Sequence, residues 1–529
     1  MKHTKVFVAD DVNEERLALL REAGIEVVKE TKLSPEMLAE RLGDADGVIV
    51  RSATEITAEI MDRARRLRVI GRAGVGVDNI DVKAATKRGI VVMNAPDGNT
   101  ITTAEHTVAL LVSLARNVAQ AHGLLQQGIW DKKRFVGVEL NGKSLGVIGL
   151  GRIGRHVAKI AKGFGMHISG YDPFVTDESA KDFGIALEPL EELLAKSDFI
   201  TIHTPVTDET RGMIGAAAFS KMKDGVRIVN CARGGLVNEE ALLEAIESGK
   251  VAGAALDVFE SEPLDPKSPL LNHPKIVTTP HLGASTTEAQ EGVALAVAEQ
   301  MRDYLLFGEL RNAVNAPSMA AEELERLEPH IELASSLGRF HEQVIGEAAI
   351  KEVKIEYSGQ LADAECGPVT RAFVSGLLEH VSDRINIVNA LHIAEERGID
   401  IITSFTQSSK NFGHDIRTRV KASDQVHIAA GAVFADGVGR ITQIEDFALE
   451  VIPGGYMLFT RNDDEPGAIG KIGTLLGDNG VNISRFYLGR SEKGGEALAV
   501  IEIDTPLEPE VLEKLRSTQS VLTAKQVKL

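Results

Sequence analysis

A glycine-rich turn between an apolar strand and a helix constrains the fold of this chain more than any other feature. Segment 144–149 (SLGVIG) has the pattern of a buried strand, and helical periodicity follows it. At the junction, Gly149, Gly151 and Gly154 form the pattern GxGxxG, which provides a tight turn, close approach to a pyrophosphate and close helix–strand packing. Asp172 follows the next strand, at the spacing of an acid that holds ribose hydroxyls. The junction therefore predicts a dinucleotide-binding domain, and the acid favours NAD because it repels the 2′-phosphate of NADP.

Two successive sets of short strands alternate with amphipathic helices, which is typical of doubly wound α/β domains. The first set of predicted strands lies at 5–10, 25–30, 47–52, 68–74 and 90–96. The second set lies at 144–149, 167–172, 199–205, 226–235, 252–259 and 275–283. An apolar stripe at helical spacing predicts one continuous helix over 103–125 between the two sets, and a further helix over 285–310 after them.

The remainder of the chain predicts two more units. Residues 320–452 mix strands and helices without a chemical motif, and a strongly charged helix opens them. Residues 456–528 have the order strand, helix, strand, strand, helix, strand, and βαββαβ makes a ferredoxin-like sandwich.

Composition excludes several classes of function. A net charge of −19 disfavours nucleic acid or an anionic membrane surface as the main partner. Two cysteines, Cys231 and Cys366, exclude a disulfide framework and a cysteine-rich metal site, and no metal is expected. The first residues contain no long apolar stretch of the kind a signal peptide or membrane helix needs, so a cytoplasmic protein is expected.

Three candidate catalytic residues follow predicted strands of the second set: Arg233, Glu262 and His281. Ligands collect at the carboxyl ends of strands in open α/β sheets, so the three side chains are expected near the dinucleotide. Moving a hydride from a secondary alcohol requires a base for the hydroxyl proton, and an acid substrate requires a cation for its carboxylate. The set therefore predicts a dehydrogenase of a hydroxy acid.

The ordered motifs GLGRIG, HTP (203–205), NCARGG (230–235), ALDVFESEP (255–263) and PHLGAST (280–286) resemble those of the D-isomer-specific 2-hydroxyacid dehydrogenase family. The resemblance implies that Arg233 holds the substrate carboxylate, that His281 exchanges the proton and that Glu262 pairs with His281. It also implies contacts of Asp172 and the three glycines with the cofactor. The other cofactor contacts that it implies are Arg152, Ile153, Thr204, Cys231, Ala232, Arg233, Asp257, His281, Gly283 and Ala284.

The same resemblance implies a Rossmann cofactor domain inserted in a flavodoxin-like substrate domain. The domain bounds expected from it are 1–98 with 285–317 for the substrate domain and 99–284 for the cofactor domain. An α+β intervening domain over 318–452 and an ACT regulatory domain over 453–529 are expected to follow. His106 lies on an apolar helix face, where a core or interface residue is the better interpretation than a catalytic one.

The loops around 50–57, 71–81 and 94–100 resemble those of family members that oxidise 3-phosphoglycerate. Arginine suits a phosphate because its guanidinium makes two parallel hydrogen bonds. The family brings a basic residue from a partner subunit at the position of Arg134. The expected substrate contacts are Arg51, Ser52, Arg72, Asn94 and Arg134.

The resemblance of the C-terminal residues to ACT domains implies a site for an amino-acid effector, expected to be L-serine. Asn462, Asp464 and Asn482 are the expected effector contacts, and pairing of such domains edge to edge implies a homo-oligomer, expected to be a tetramer. The sequence departs from the enterobacterial pattern at Asn462 and Asp464, and a purely dimerising ACT domain is the alternative. A basic cluster of Lys410, His414, Arg417 and Arg419 is a candidate anion site, with a solvated basic strand as its alternative.

Two other functions stay open at this point. A broad-specificity D-2-hydroxyacid or hydroxypyruvate reductase would turn over unphosphorylated substrates comparably well. A nucleotide-sensing protein that has lost the chemistry would keep the fold, although the joint presence of Arg233, Glu262 and His281 disfavours it.

Overall fold

The computed structural model describes residues 4–316, 321–382, 384–406 and 415–529. Lys410 and His414 of the predicted basic cluster lie outside the described residues.

The first unit is a parallel sheet of five strands in the order 2-1-3-4-5, with helices on both faces. Its strands are Lys5–Val8, Glu26–Lys29, Gly47–Val50, Val69–Arg72 and Val91–Asn94, and its helices are Glu14–Glu22, Pro35–Arg41, Ala58–Arg63 and Val82–Lys87, with a 3-10 turn at Leu42–Asp44. Every residue of the central strand Gly47–Val50 is buried, as a parallel strand covered on both faces requires. The strand order is that of flavodoxin-like folds.

The second unit is a parallel sheet of seven strands, which in their own chain order run 7-6-5-4-1-2-3. The strands are Ser144–Ile148, His167–Tyr171, Ala186–Leu187, Phe199–Ile202, Val226–Asn230, Val251–Leu256 and Ile276–Thr278. The helices are Thr100–Arg116, Val118–Gln126, Arg152–Gly163, Asp177–Asp182, Leu190–Lys196, Ala216–Lys221 and Glu239–Glu247, with a 3-10 turn at Lys132–Phe135. The order contains the Rossmann arrangement 3-2-1-4-5-6 with one additional edge strand.

The chain returns to the first sheet after it completes the second. Helix Thr287–Phe307 buries Val293, Val297 and Met301 in the same core as the strands of the first sheet. Ala313 then forms a bridge with Met93 of the last strand of that sheet. The prediction of a Rossmann unit inserted in a flavodoxin-like unit is therefore confirmed.

Two details of the predicted elements are wrong. The single helix expected over 103–125 is two helices that meet at 67°, because Asn117 adopts a left-handed backbone with φ of 52°. Asparagine tolerates that conformation better than most residues, and it ends the first helix there. The two-residue edge strand Ala186–Leu187 was not predicted, because it is too short to show a period.

The third unit has a sheet of six strands: Ile350–Ser358, Asp400–Thr406, Ile416–Ala422, Gln425–Val433, Gly439–Ile444 and Phe447–Val451. Its helices are Ala321–Ile345, Gly367–Leu377 and Ala390–Glu396, with 3-10 turns at Gly359–Leu361 and Glu379–Val381. The fourth unit runs Tyr456–Asp463, Ala468–Asp478, Ile483–Arg490, Glu496–Ile503, Pro509–Arg516 and Val521–Lys528. Its strands lie in the order 2-3-1-4, so the predicted ferredoxin-like βαββαβ unit is confirmed.

The third and fourth units share one hydrophobic core. Along strand Tyr456–Asp463, Leu458 packs with the two helices of its own unit, whereas Met457 and Phe459 face the core of the third unit. This division follows from the alternation of side chains along a strand. The ring of Phe340, on helix Ala321–Ile345, lies 5.1 Å from the ring of Phe459. The helix thus covers the face of the fourth sheet that its own helices leave open.

Within the part of the chain that the structure describes, no single helix is long and apolar enough to cross a membrane. Taken together, the two helices Thr100–Arg116 and Val118–Gln126 have the length and apolar composition of a membrane span, but they meet at a bend of 67°.

We expect Phe340→Ala to loosen the third and fourth units together. Loss of a buried phenylalanine costs about 3–5 kcal/mol of the free energy of unfolding, and this ring belongs to both units. Thermal unfolding should show a lower transition for the C-terminal half with NADH affinity unchanged, and Phe174→Ala, at a ring that is 94% exposed, is the control. A variant whose unfolding matches the wild type would contradict a shared core.

Candidate active site

The three glycines of the junction have distinct surroundings. Gly149 has φ of 93°, and a Cβ there would lie 2.6 Å from the carbonyl oxygen of His203. A Cβ at Gly154 would collide with the Gly149 carbonyl. At Gly151, which precedes helix Arg152–Gly163, a Cβ would meet no atom within 4 Å. The space beside Gly151, at the start of this helix, is therefore open, and a dinucleotide pyrophosphate fits there.

Asp172 lies directly after strand His167–Tyr171 and connects it to the glycine turn. Its Oδ2 accepts the Leu150 N–H at 2.8 Å, and its Oδ1 accepts the Phe174 N–H at 2.9 Å. On the other side of the turn, the Arg152 guanidinium pairs with Asp97 of the first unit at 2.9 Å. The turn is thus fixed to its own sheet by one carboxylate and to the neighbouring domain by another.

Three predicted arginines converge between the two domains. Burial, together with the positive charges of Arg233 and Arg51, lowers the pKa of Arg72 to about 10. The buried Nε of Arg72 has no hydrogen-bond partner among the described residues. Arg233 donates from Nε to Asp78 at 3.0 Å. Like charges brought together out of water cost free energy unless an anion joins them, so the cluster is built for an anion.

A glycine-rich loop makes room for this cluster. A Cβ at Gly74 or at Gly76 would collide with the guanidinium of Arg72 or of Arg233, respectively. The segment GRAGVGVD therefore carries glycines where two arginine side chains pass over its backbone. A Cβ at Gly234 would collide with the Phe259 carbonyl, so the loop of Arg233 also packs against the segment that leads to Glu262.

His281 and Glu262 form the predicted pair. The His281 Nδ1 lies 2.6 Å from the Glu262 Oε2, and the other carboxylate oxygen accepts the Phe259 N–H at 3.0 Å. Burial acts to raise the pKa of Glu262, but the hydrogen bonds from His281 and Phe259 hold it below its usual value. Glu262 is therefore ionised and holds the Nδ1–H tautomer, which leaves the His281 Nε2 free to accept a proton. The His281 side chain is 46% exposed, as a residue that meets a substrate must be.

The buried carboxylate of Asp257 organises the loop that carries His281. It accepts hydrogen bonds from Thr279 at 2.6 Å and from the N–H groups of Leu282 and Gly283, each at 2.8 Å. His106 Nε2 lies 3.1 Å from the same carboxylate. Burial opposes ionisation of Asp257, yet the bonds from His106, Thr279 and Leu282 keep its pKa below the usual value. The bonds to the loop hold His281 at φ of 53°, a conformation that few residues adopt.

The other predicted cofactor contacts stay predictions. Burial raises the pKa of the Cys231 thiol to about 12, which makes it a poor nucleophile. Ala232 N–H is held by Asn230 at 3.1 Å, and Thr103 donates to the Gly283 carbonyl at 2.9 Å. The remaining predicted contacts are partly buried: Ile153, Thr204 and Ala284.

The remaining substrate predictions divide by position. Asn94 donates to the Val75 carbonyl at 2.6 Å, beside the glycine-rich loop, and Ser52 is exposed next to Arg51. Arg134 is exposed in the turn Lys132–Phe135, and no carboxylate of the described residues forms an ion pair with it. Trp130 and Val136 nearby are 81% and 82% exposed. Such apolar exposure beside Arg134 is what a contact with a second chain would cover.

The structure does not bring the three predicted effector residues together within one chain. Asn462 and Asp464 lie at one end of the fourth sheet, beside the start of strand Glu496–Ile503, and Asn482 lies at the opposite end, beside Asp504. Asn462 is 2% exposed, and its buried Oδ1 has no partner within the described part of the chain. Asp464 accepts the Gly494 N–H at 3.0 Å, and Asn482 is exposed and donates to Asp504 at 2.7 Å. Strand Tyr456–Asp463 extends past Asn462, so this residue lies in the strand and not in the turn before the helix.

Comparisons with known proteins agree with this architecture. The family model of the D-isomer specific 2-hydroxyacid dehydrogenase NAD binding domain matches residues 108–283. The D-3-phosphoglycerate dehydrogenase intervening domain matches 326–445, and the ACT domain matches 456–518. Among solved structures, the TT0316 protein from Thermus thermophilus has a TM-score of 0.55 at 37% identity, covering 59% of this chain and 100% of that one. A glyoxylate reductase from Paecilomyes thermophila has a TM-score of 0.55 at 32% identity, covering 59% of this chain and 99% of that one.

Full-length relatives narrow the class. A D-3-phosphoglycerate dehydrogenase of Archaeoglobus fulgidus is 44% identical over 99% of this chain and 100% of its own length. The D-3-phosphoglycerate dehydrogenase of Bacillus subtilis is 40% identical over 99% of each chain. The chain therefore belongs to the D-isomer specific 2-hydroxyacid dehydrogenase family, whose cofactor is bound by an NAD-binding domain. Within that family its place is among the D-3-phosphoglycerate dehydrogenases that carry intervening and ACT domains.

Sequence reasoning missed two contributors to the site, Asp78 and Gly76, and interpreted a third, His106, as a core or interface residue without its contact with Asp257. Asp78 and His106 act through partners 155 and 151 residues away, and no local pattern reports such pairs. Gly76 was visible as part of an unusually glycine-rich loop, but its purpose depends on where the Arg233 side chain passes.

We expect Gly76→Ala to displace the Arg233 guanidinium without straining the backbone. Misplacing such a group by about 1 Å lowers kcat/KM for the hydroxy acid by about 10²-fold. NADH affinity, measured by fluorescence titration, should change much less, because the glycine turn and Asp172 are expected to hold most of the dinucleotide. Gly43→Ala, where a Cβ meets no atom within 4 Å, is the matched control. Equal kcat/KM values in both variants would show that the close approach of Arg233 has no consequence.

Proposed function

We propose that this protein catalyses the NAD-dependent oxidation of 3-phospho-D-glycerate to 3-phosphohydroxypyruvate, the first step of L-serine biosynthesis. The observation that carries the proposal is the convergence of Arg51, Arg72 and Arg233 in one cleft, where Gly74 and Gly76 leave room for the guanidinium groups of Arg72 and Arg233. Desolvation of Arg72, together with repulsion from Arg233 and Arg51, lowers the pKa of Arg72 to about 10. A substrate with a carboxylate at one end and a phosphate at the other brings the negative charge that such a cluster lacks. The names of the full-length relatives support the same substrate.

In this proposal each residue has one role. Arg233 binds the carboxylate, while Arg51 and Arg72 bind the phosphate. The Nε2 of His281 accepts the proton of the substrate hydroxyl as the hydride leaves the same carbon, and Glu262 stabilises the imidazolium that results. NAD, when bound, accepts the hydride. The loop held by Asp257 orients His281, and the glycine turn with Asp172 holds the dinucleotide.

The alternative is a broad-specificity D-2-hydroxyacid or hydroxypyruvate reductase. Such an enzyme has no need for three arginines in one cleft, since a single guanidinium suffices for a carboxylate. The intervening and ACT domains also disfavour this alternative. The glyoxylate reductase, over 99% of its own length, covers only 59% of this chain, so it is too short to contain all four domains.

We expect Arg72→Gln to lower kcat/KM for 3-phosphoglycerate at least about 30-fold. Truncating one partner of a charge pair that is buried in the complex costs about 2 kcal/mol or more of binding free energy. The value for unphosphorylated D-glycerate should hardly change. NAD reduction with both substrates measures the ratio, and Arg21→Gln, at an exposed arginine, is the control. A wild-type enzyme that uses both substrates equally well would favour the alternative, and one that binds NADH but reduces no NAD would favour a nucleotide sensor.

Regulation by L-serine and assembly into a tetramer are part of the proposal. The ACT domain supports an amino-acid effector, and the strand Ile483–Arg490 at the edge of its sheet carries Phe486 and Leu488, which are 36% and 50% exposed. Antiparallel pairing of two such edges would place the end of the sheet that carries Asn482 against the end that carries Asn462 and Asp464 in a second chain. Arg134 and the exposed side chains around it would lie in a second contact. Two separate contact surfaces are what a tetramer requires.

We also propose the bounds of the four domains. They are 1–98 with 285–317 for the substrate domain, 99–284 for the cofactor domain, 318–452 for the intervening domain and 453–529 for the ACT domain. We also infer a cytoplasmic enzyme, since its substrate is a phosphorylated metabolite and both cysteines are free.

We expect L-serine to inhibit the wild type and to inhibit Asn482→Ala at least about tenfold more weakly, since a lost hydrogen bond to a charged ligand costs about 1.5 kcal/mol or more. Asn479→Ala, at an exposed asparagine of the same unit, is the control. Initial rates across a serine titration give the inhibition constants. Full activity of the wild type at millimolar serine would exclude this effector and would favour an ACT domain that only dimerises.

A further inference from the structure

We propose that an arginine-lined cavity between the substrate domain and the intervening domain binds a small, multiply charged phosphate compound. The cavity, here called the junction cavity, has a volume of about 710 Å³. Part of its lining consists of Arg65, Arg66, Arg68, Arg88, Arg384 and Tyr304.

Two domains build the junction cavity and hold each other at its edge. The substrate domain supplies the segment 64–68, the turn 88–90 and Tyr304. The intervening domain supplies Arg384 and Asn386. Asn386 Nδ2 donates to the Gly89 carbonyl at 2.9 Å, so one wall residue also fastens the two domains together.

The charge of the junction cavity contrasts with that of the chain. Five arginines and one aspartate line it, in a protein with a net charge of −19. Asp46 pairs with Arg66 at 2.9 Å, and Asp62 pairs with Arg88 at 2.7 Å. These two pairs leave the charges of Arg65, Arg68 and Arg384 to be balanced in another way.

Arg68 stacks over the Tyr304 ring at 5.5 Å. Arg65 and Arg384 are exposed and make no ion pair with any carboxylate of the described residues. One of these two guanidinium groups comes from each domain and both line the same cavity, so an anion held there attracts both domains. Guanidinium groups prefer phosphate oxygens, to which they donate two parallel bonds.

The junction cavity is separate from the catalytic cleft. Strand Val69–Arg72 begins beside Arg68 and ends at Arg72 of the arginine cluster, so the two sites lie at opposite ends of one strand, about 13 Å apart at the backbone. A compound in the junction cavity therefore does not displace the substrate.

An anion in this cavity would couple the two halves of the chain. It would attract Arg384 toward the arginines of the substrate domain and so strengthen the contact between the domains. Tyr304 belongs to helix Thr287–Phe307, which packs on the substrate sheet, whereas the intervening domain shares its core with the ACT domain. Binding here would thus stabilise one position of the regulatory half relative to the catalytic half.

The test uses inorganic pyrophosphate as the probe in calorimetric titrations of the full chain. The arginine cluster of the active site is expected to bind some of the probe, but equally in every variant. We expect Arg65→Gln/Arg384→Gln to bind pyrophosphate in the junction cavity at least about tenfold more weakly than the wild type, because two charge-assisted contacts are lost. Both side chains are exposed, so folding is not at risk.

Arg63→Gln/Arg397→Gln is the control, since it removes the same charge from exposed arginines of the same two domains outside the cavity. It should bind as the wild type does. Hydrogen exchange at Gly89 and Asn386 should slow on addition of pyrophosphate in the wild type and in the control only. Equal affinity in both double variants, or unchanged exchange at these residues in the wild type, would overturn the proposal, whatever the substrate of the active site proves to be.

Discussion

The catalytic geometry depends on one buried carboxylate. Asp257 is wholly buried, which opposes its ionisation, and it stays charged because His106, Thr279 and two backbone N–H groups donate to it. These donors belong to a long helix and to the loop after the last strand of the cofactor sheet. A single charge therefore fixes the loop at a backbone conformation that His281 would otherwise avoid. Strain at His281, the proposed catalytic base, is balanced by hydrogen bonds deeper in the protein.

A second constraint, an excess of positive charge, shapes the cleft between the substrate domain and the cofactor domain. Arg51, Arg72 and Arg233 lie close together without enough carboxylate to neutralise them, and the buried Nε of Arg72 has no partner among the described residues. The loop accommodates two of the guanidinium groups because Gly74 and Gly76 carry no side chain where Arg72 and Arg233 pass. The cleft is thus destabilised when empty, and an anionic substrate relieves that cost on binding.

The sequence was sufficient to predict those features of the fold and the site that depend on patterns within short stretches of residues. GxGxxG, the alternation of strands and helices, and the strand ends that carry Arg233, Glu262 and His281 all have short-range signatures, and the fold class follows from them. The kink at Asn117 was missed because a continuous apolar stripe does not report the backbone conformation of one residue. The bonds of Asp257 and the clash that Gly76 avoids depend on residues distant in sequence. The basic junction cavity was missed for the same reason, since its arginines come from three separate segments.

The hydrophobic core to which Phe340 and Phe459 belong limits how the two C-terminal domains can be recombined with other enzymes. A ferredoxin-like unit is usually regarded as portable, because it can be joined to another protein through a linker alone. Here one face of its sheet is completed by a helix that belongs to its neighbour, and Met457, Val500 and Val527 contribute to that face. A graft of this unit onto another enzyme would expose an apolar surface, so the two C-terminal units can be exchanged only as a pair.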